Sequence, residues 1–180
     1  TGGFRKALEH LASLGHERIA YVGTRKDRYA RFVAATIETK LPVDMELTCW
    51  LDVPPRAIDY AVWRESAAKH FSQWVADRRD FTAVICQNDY IAFGVMDAAR
   101  QAKLKIGKDL SIVGFDNIER NNPGYPFEPG LTTVDSAYDE IGRRCAISLV
   151  EQIRGGRRQI IHERVPIDLV VRDTTGPASK

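Results

Sequence analysis

The apolar positions of the chain follow two alternating rhythms. Residues 2 to 14, "GGFRKALEHLASL", set Phe4, Ala7, Leu8, Leu11 and Ala12 at i, i+3, i+4, i+7 and i+8, the stripe of an amphipathic helix, and Gly15 follows where a left-handed residue ends one. "RIAYVG" (18–23) is instead a short, nearly unbroken apolar run, the pattern of a strand covered on both faces. The pair of signals then repeats. Helical spacing covers 28–41 as far as Pro42, then 58–78 with Trp63, Ala67, Phe71, Trp74 and Val75 on one face, then 89–104 with Ile91, Val95, Ala99 and Ala102 aligned. Strand runs cover 47–53, stopped by Pro54-Pro55, then 82–88 and 110–116. This rhythm predicts parallel strands joined by helical crossovers: an α/β fold, a Rossmann-like parallel sheet with helices on both faces.

Past residue 116 the order changes. A Pro/Gly-rich loop, "NNPGYPFEPG" (121–130), leads to a brief "LTTV" and a helix over 137–154. Ser136 with Asp139 has capping-box spacing, and Gly155-Gly156 ends that helix. "IIHERVPIDLVVR" (160–172) gives two β-type runs divided by Pro166, and residues 173 to 180 read as a polar tail.

Composition narrows the class. Of 180 residues, 44% are hydrophobic and 28% charged, which is the balance of a globular chain with a substantial core. The formal charge is only +2, and the doublets Arg78-Arg79, Arg143-Arg144 and Arg157-Arg158 are scattered. They read as solvated faces and turns, not as a stripe for nucleic acid, so this segment by itself is not expected to bind DNA. Cys49, Cys86 and Cys145 are an odd count without metal-ligand spacing, and the first two lie in apolar runs, as buried free thiols do. No apolar stretch approaches the ~20 residues that cross a bilayer, and no signal peptide precedes the first helix.

Candidate chemistry sits where strands hand over to helices. In open parallel sheets, ligands bind beyond the carboxyl ends of strands, where strand order reverses. Arg28 lies just beyond the first strand, Asn88-Asp89 follows the third and Asp116 the fourth. A guanidinium fork, an amide and two carboxylates suit a ligand rich in hydroxyls. Each also has a plainer reading: Asn88 or Asp89 as a helix cap, Asp116 as an Asx-turn residue, Arg28 as surface. Trp63 is either core or a stacking platform. No phosphate loop, nucleophile elbow or paired His ligands occur, so binding without turnover is expected, with no cofactor and no metal.

Four stretches taken together resemble a known family: "HLASLGHERIAYVG" (10–23), "QNDYIAFGVMDAARQAKLKIGKDLSIVGFDN" (87–117), "LTTVDSAYDEIG" (131–142) and "VPIDLVVRDTT" (165–175). They are similar, in the right order, to the effector-binding domain of lactose-repressor-type (LacI/GalR) transcription regulators. The resemblance implies a periplasmic-binding-protein-like fold of two lobes, with a sugar or other small effector between them. Residues 18–134 and 160–172 would then build the second lobe, largely complete. The helices 2–14 and 137–154 would belong to a first lobe that is mostly missing, with 173–180 as a tail. The family's effector-contacting residues fall on Arg28 of "RYARF", on Asn88-Asp89 and on Asp116, with Trp63 as a further guess. Where the family has Gly in the first motif, Arg31 stands here. The resemblance further implies a cytoplasmic homodimer that reaches operator DNA only through a missing N-terminal domain. The alternative is a periplasmic sugar-binding protein of a transporter, which shares the fold; "LGHERIAYVG", "VVRDTT" and the unpaired cysteines favour the regulator.

Overall fold

The short apolar runs supply the strands of one sheet. β1 (Ile19–Gly23), β2 (Thr48–Trp50), β3 (Ala83–Cys86), β4 (Ser111–Phe115), β5 (Thr132–Asp135) and β6 (Asp168–Val170) lie in the order β2-β1-β3-β4-β5-β6. The first five are parallel and β6 is antiparallel to β5. The structure, a computed structural model, describes residues 2–53, 60–77, 80–121, 128–156 and 158–179. The Pro54-Pro55 stop, the two ends of the expected 58–78 helix, Arg78, Arg79, Arg157 and most of the 121–130 loop lie outside the described residues.

Alternation along each strand feeds two cores. Ala20, Val22, Cys49, Val84, Cys86 and Ile112 face α3 (Tyr60–Asp77) and α4 (Asp89–Gln101), which bring Phe71, Ile91, Val95 and Met96 to that layer. Ile19, Tyr21, Ile85, Val113, Phe115 and Val134 face the other way, onto α1 (Gly2–Ser13) and α2 (Lys26–Glu38). All residues of β1, β3 and β4 are buried, as expected of strands covered on both faces. Cys49 and Cys86 are buried and free, and Cys145 is exposed and free.

Three expectations change here. The helix at 2–14 is not an orphan of another lobe: Phe4, Ala7, Leu8 and Leu11 are at most 3% exposed, packed on the β1-β3-β4 face. A sheet buried on both sides needs a helix there, and full burial of such a side chain is worth about 1.5–3 kcal/mol. The segment expected as a polar tail is, over residues 173–179, bound into the fold. Thr174 is wholly buried, its Oγ1 donates to Ile112 O and accepts from Thr132 N, and Ala178 N donates to Leu14 O. Of the two β-type runs in 160–172 only the second forms a strand, β6; Ile160 and Ile161 before it stand exposed.

The helix α5 (Tyr138–Gly155) differs from α1 to α4. None of its residues is buried, and Ile141, Ile147, Leu149, Val150 and Ile153 are between 38% and 71% exposed. Its apolar stripe lines a hollow of about 450 Å³ together with Ile161 and Val165. The helix ends at left-handed Gly156, as the glycine pair suggests. Its start is not the capping box: Ala137, in the left-handed region at φ 52°, takes the cap position without a side-chain bond. Ser136 is engaged elsewhere, with Asp116.

Candidate functional site

Strand order reverses between β1 and β3. The chain leaves β1 for α2 on one face and β3 for α4 on the other, which opens a crevice at their carboxyl ends. Gln87 closes the floor of this crevice. Its buried Oε1 accepts from the backbone N–H groups of Thr24 and Arg25 at 2.9 Å each, fixing the turn into α2. That turn delivers Arg28. The guanidinium lies over the Phe115 ring, Cζ 4.7 Å from the centroid, with Nη1 3.4 Å from Gln87 O.

Asn88 and Asp89 divide into two roles. Asn88 is the N-cap of α4, its Oδ1 accepting from Ile91 N at 2.9 Å. Asp89 is turned inward and only 1% exposed. Its Oδ1 accepts from Thr133 Oγ1 at 2.5 Å and its Oδ2 from Ile118 N at 2.8 Å, so it clasps β5 and the 3-10 turn after β4. A Cβ on Gly114 would collide with Asp89 Oδ1, so glycine at that position is what admits the carboxylate. Burial pushes the Asp89 carboxyl up to about 7, against the pull of its two bonds, with the charges of Asp116 and Glu119 adding to the rise. The expectation that Asp89 faces a ligand is therefore corrected: both of its oxygens are held by the fold.

Asp116 is held less completely. The backbone enters the left-handed region at Asp116 (φ 108°) and Asn117 (φ 52°), a sparsely populated conformation for non-glycine residues. Asp116 N still donates to Val134 O, and Oδ1 accepts from Ser136 Oγ at 3.0 Å and Tyr138 Oη at 3.1 Å. Among the described residues Oδ2 has no hydrogen bond. Burial raises the Asp116 carboxyl, opposed by the bond from Ser136 and the charge of Arg28. Beside it a hollow of about 210 Å³ opens between Asn117, Asp135 and Tyr138. Asn117 donates to Asp135 Oδ2 and accepts from Arg172 Nη2, which braces this corner against the β6 side of the sheet.

The strand-end residues thus converge, with Arg28, Asn88 and Asp116 at the crevice and Asp89 beneath it. Trp63 packs, partly buried, against the α3/α4 core. Tyr60 and Tyr90, at the starts of α3 and α4, stack with near-parallel rings 4.3 Å apart, and Trp50 at the end of β2 is 43% exposed. Phe115 and Tyr138 carry no site expectation in the sequence, and Ser136 carries only that of a helix cap. Phe115 is adjacent to Asp116 in "VGFD"; Ser136 and Tyr138, at the end of β5 and the start of α5, are distant in sequence from Asp116 and bond its Oδ1 across the fold. Among the described residues no group of three His, Cys, Asp or Glu could hold a metal ion, and no helix is long and apolar enough to cross a membrane.

Comparison with known proteins gives one consistent picture. Residues 8–175 match the model of the periplasmic binding protein-like domain. The HTH-type transcriptional regulator DegA of Bacillus subtilis (strain 168) is 32% identical over 182 residues, covering 98% of this chain and 50% of its own length. The chain spans about half the length of the curated relatives it matches. Among solved structures, a dimeric Lac repressor with an 11-residue C-terminal deletion superposes with a TM-score of 0.81 at 25% identity, over 99% of this chain and 62% of that one. A LacI family transcriptional regulator from Enterococcus faecium with bound ribose gives 0.77 at 26% identity, over 98% and 63%.

Proposed function

Because the chain belongs to the periplasmic binding protein-like domain family, in the company of lactose-repressor-type regulators, we propose that it is the effector-sensing part of a DNA-binding transcription regulator. The effector is a small polyhydroxylated molecule, a sugar or close relative, held at the crevice by Arg28, Asn88 and Asp116. The observation that carries this reading is the pairing of unused groups there. Arg28 makes one long hydrogen bond among the described residues, and Asp116 Oδ2 makes none. A cationic fork and an anionic acceptor at one edge, with rings alongside, suit a ligand that both donates and accepts through hydroxyls.

The bare stripe of α5 supports a second lobe in the full-length protein that closes over the crevice. Residues 18–134 and 160–172, with α1 added, form one lobe, and α5 is the piece contributed to the other. Effector binding shifts the closure of the two lobes and, in a homodimer, the spacing of DNA-reading segments carried elsewhere in the full-length protein. The protein works in the cytoplasm, binding its effector without turning it over. The test is a panel of sugars and polyols against the full-length regulator, read by thermal shift. At a hundredfold excess over Kd the true effector stabilises by about 2.7 kcal/mol. Arg28→Ala and Asp116→Ala should each remove most of that shift. A panel without any stabilising member contradicts the carbohydrate assignment.

A further inference from the structure

Arg28 is held in place while its donors stay free. A guanidinium is commonly fixed by a carboxylate, which takes up two of its five N–H groups. Here the fork rests on a ring: Cζ is 4.7 Å from the Phe115 centroid, and the one hydrogen bond among the described residues is the 3.4 Å contact to Gln87 O. A ring face attracts a cation through its quadrupole and occupies no N–H group.

The ring itself is braced. Phe115 is 9% exposed, its centroid lies 5.2 Å from that of Phe4, and a Cβ on Gly3 would come within 2.6 Å of its Cζ. The first turn of α1 therefore backs the ring, and the ring backs the guanidinium. Phe115 takes its place on the α1/α2 side of β4 by strand parity, and the left-handed bend that follows presents Asp116. Two consecutive residues thus supply the rest for the cation and the acceptor for the ligand.

We infer that Phe115 is a positioning residue for effector binding: its π face orients the Arg28 guanidinium toward the crevice with the donors available. The inference rests on the proposed role of Arg28 in binding the effector. A carboxylate in place of the ring would hold the same cation but take its donors, and an aliphatic residue would leave it unoriented.

The experiment uses the full-length protein with isotopically labelled arginine. Without any sugar, the Arg28 side-chain resonances should lie upfield of those of the exposed arginines, because they sit in the shielding cone of Phe115. Phe115→Tyr and Phe115→Trp should keep the displacement, and Phe115→Leu should remove it. Pentafluorophenylalanine at the same position keeps the ring's shape but reverses its quadrupole, so it isolates the electrostatic part even if the leucine variant folds poorly. With ribose as the probe, that protein should bind about two- to thirtyfold more weakly at unchanged Tm, the range expected of a cation–π contact. Unshifted Arg28 resonances in the unaltered protein, or ribose binding indifferent to fluorination, would overturn the inference. Shifted resonances in a protein that binds neither ribose nor any other sugar would leave the positioning intact and sink the carbohydrate reading.

Discussion

Asn88 and Asp89 are neighbours with unrelated work. Asn88→Ala should cost about 0.5–2 kcal/mol through loss of the α4 cap, measured as a lower urea midpoint at unchanged m; an unchanged midpoint would show the cap to be dispensable. The placement of both residues was readable from the sequence, since each follows a parallel strand. Which one faces inward was not, because that depends on Thr133 and on the backbone of Ile118, distant partners that no local pattern announces. The buried carboxyl makes stability depend on pH. Asp89 titrates near 7 in the folded chain and at its ordinary 3.8 when unfolded, so the folded state holds a proton the unfolded state has lost. Its contribution is full below about 3.8 and lost as pH rises through about 7. His16 acts in the opposite sense. It is 2% exposed, held by Thr82, Ser111 and Gly176, and burial lowers its pKa below 6.5, as it does for His10. Their contribution is present above pH 6.5 and lost as pH falls. Denaturant melts should therefore show stability declining as pH rises from 6.5 to 8, and Asp89→Asn should flatten that decline. An identical slope in the variant would contradict the buried-carboxyl account.

At the scale of elements, helices and strands were legible because period and punctuation agreed, while their partners were less so. The stripe of α1 and the stripe of α5 look alike in the sequence. The first buries Phe4, Ala7, Leu8 and Leu11 and leaves only Ala12 of its stripe exposed, while the second is bare, a difference set by which face of the sheet remained uncovered. The C-terminal segment misled for the opposite reason. "RDTTGPAS" is polar, yet its hydroxyls and backbone complete hydrogen bonds at the lower edge of β4 and β5 that an apolar sequence could not. The exposed stripe of α5 leads to a specific expectation. Leaving Leu149, Ile153 and Ile141 in water forgoes about 1.5–3 kcal/mol for each side chain that full burial would cover. The 180-residue chain on its own should therefore self-associate through this helix. Light scattering should find a dimer or larger species, and Leu149→Glu with Ile153→Glu should return a monodisperse monomer. A monomeric parent chain would count against α5 as a docking face.

For the molecule as a whole, the central claim is that the effector is gripped by Arg28 and Asp116 across the β1/β3 crevice, while Asp89 only holds the crevice in shape. Parallel topology by itself sets these residues at one edge, since the strand-order reversal opens a crevice there. The left-handed step at Asp116, which leaves its Oδ2 without a hydrogen bond among the described residues while both Asp89 oxygens are held, is one that Asp and Asn tolerate better than other non-glycine residues, but the residue type alone does not fix where it happens. Calorimetric titration of the effector into the full-length protein separates the two carboxylates directly. Arg28→Ala and Asp116→Ala should each weaken binding by roughly 2–4 kcal/mol, since a hydrogen bond to a charged group is worth about 1.5–3 kcal/mol and each group makes one or two. Asp89→Asn should lower stability yet leave the affinity of the folded protein within a fewfold of the parent. Affinity untouched by Asp116→Ala, or abolished by Asp89→Asn in a folded protein, would contradict the account.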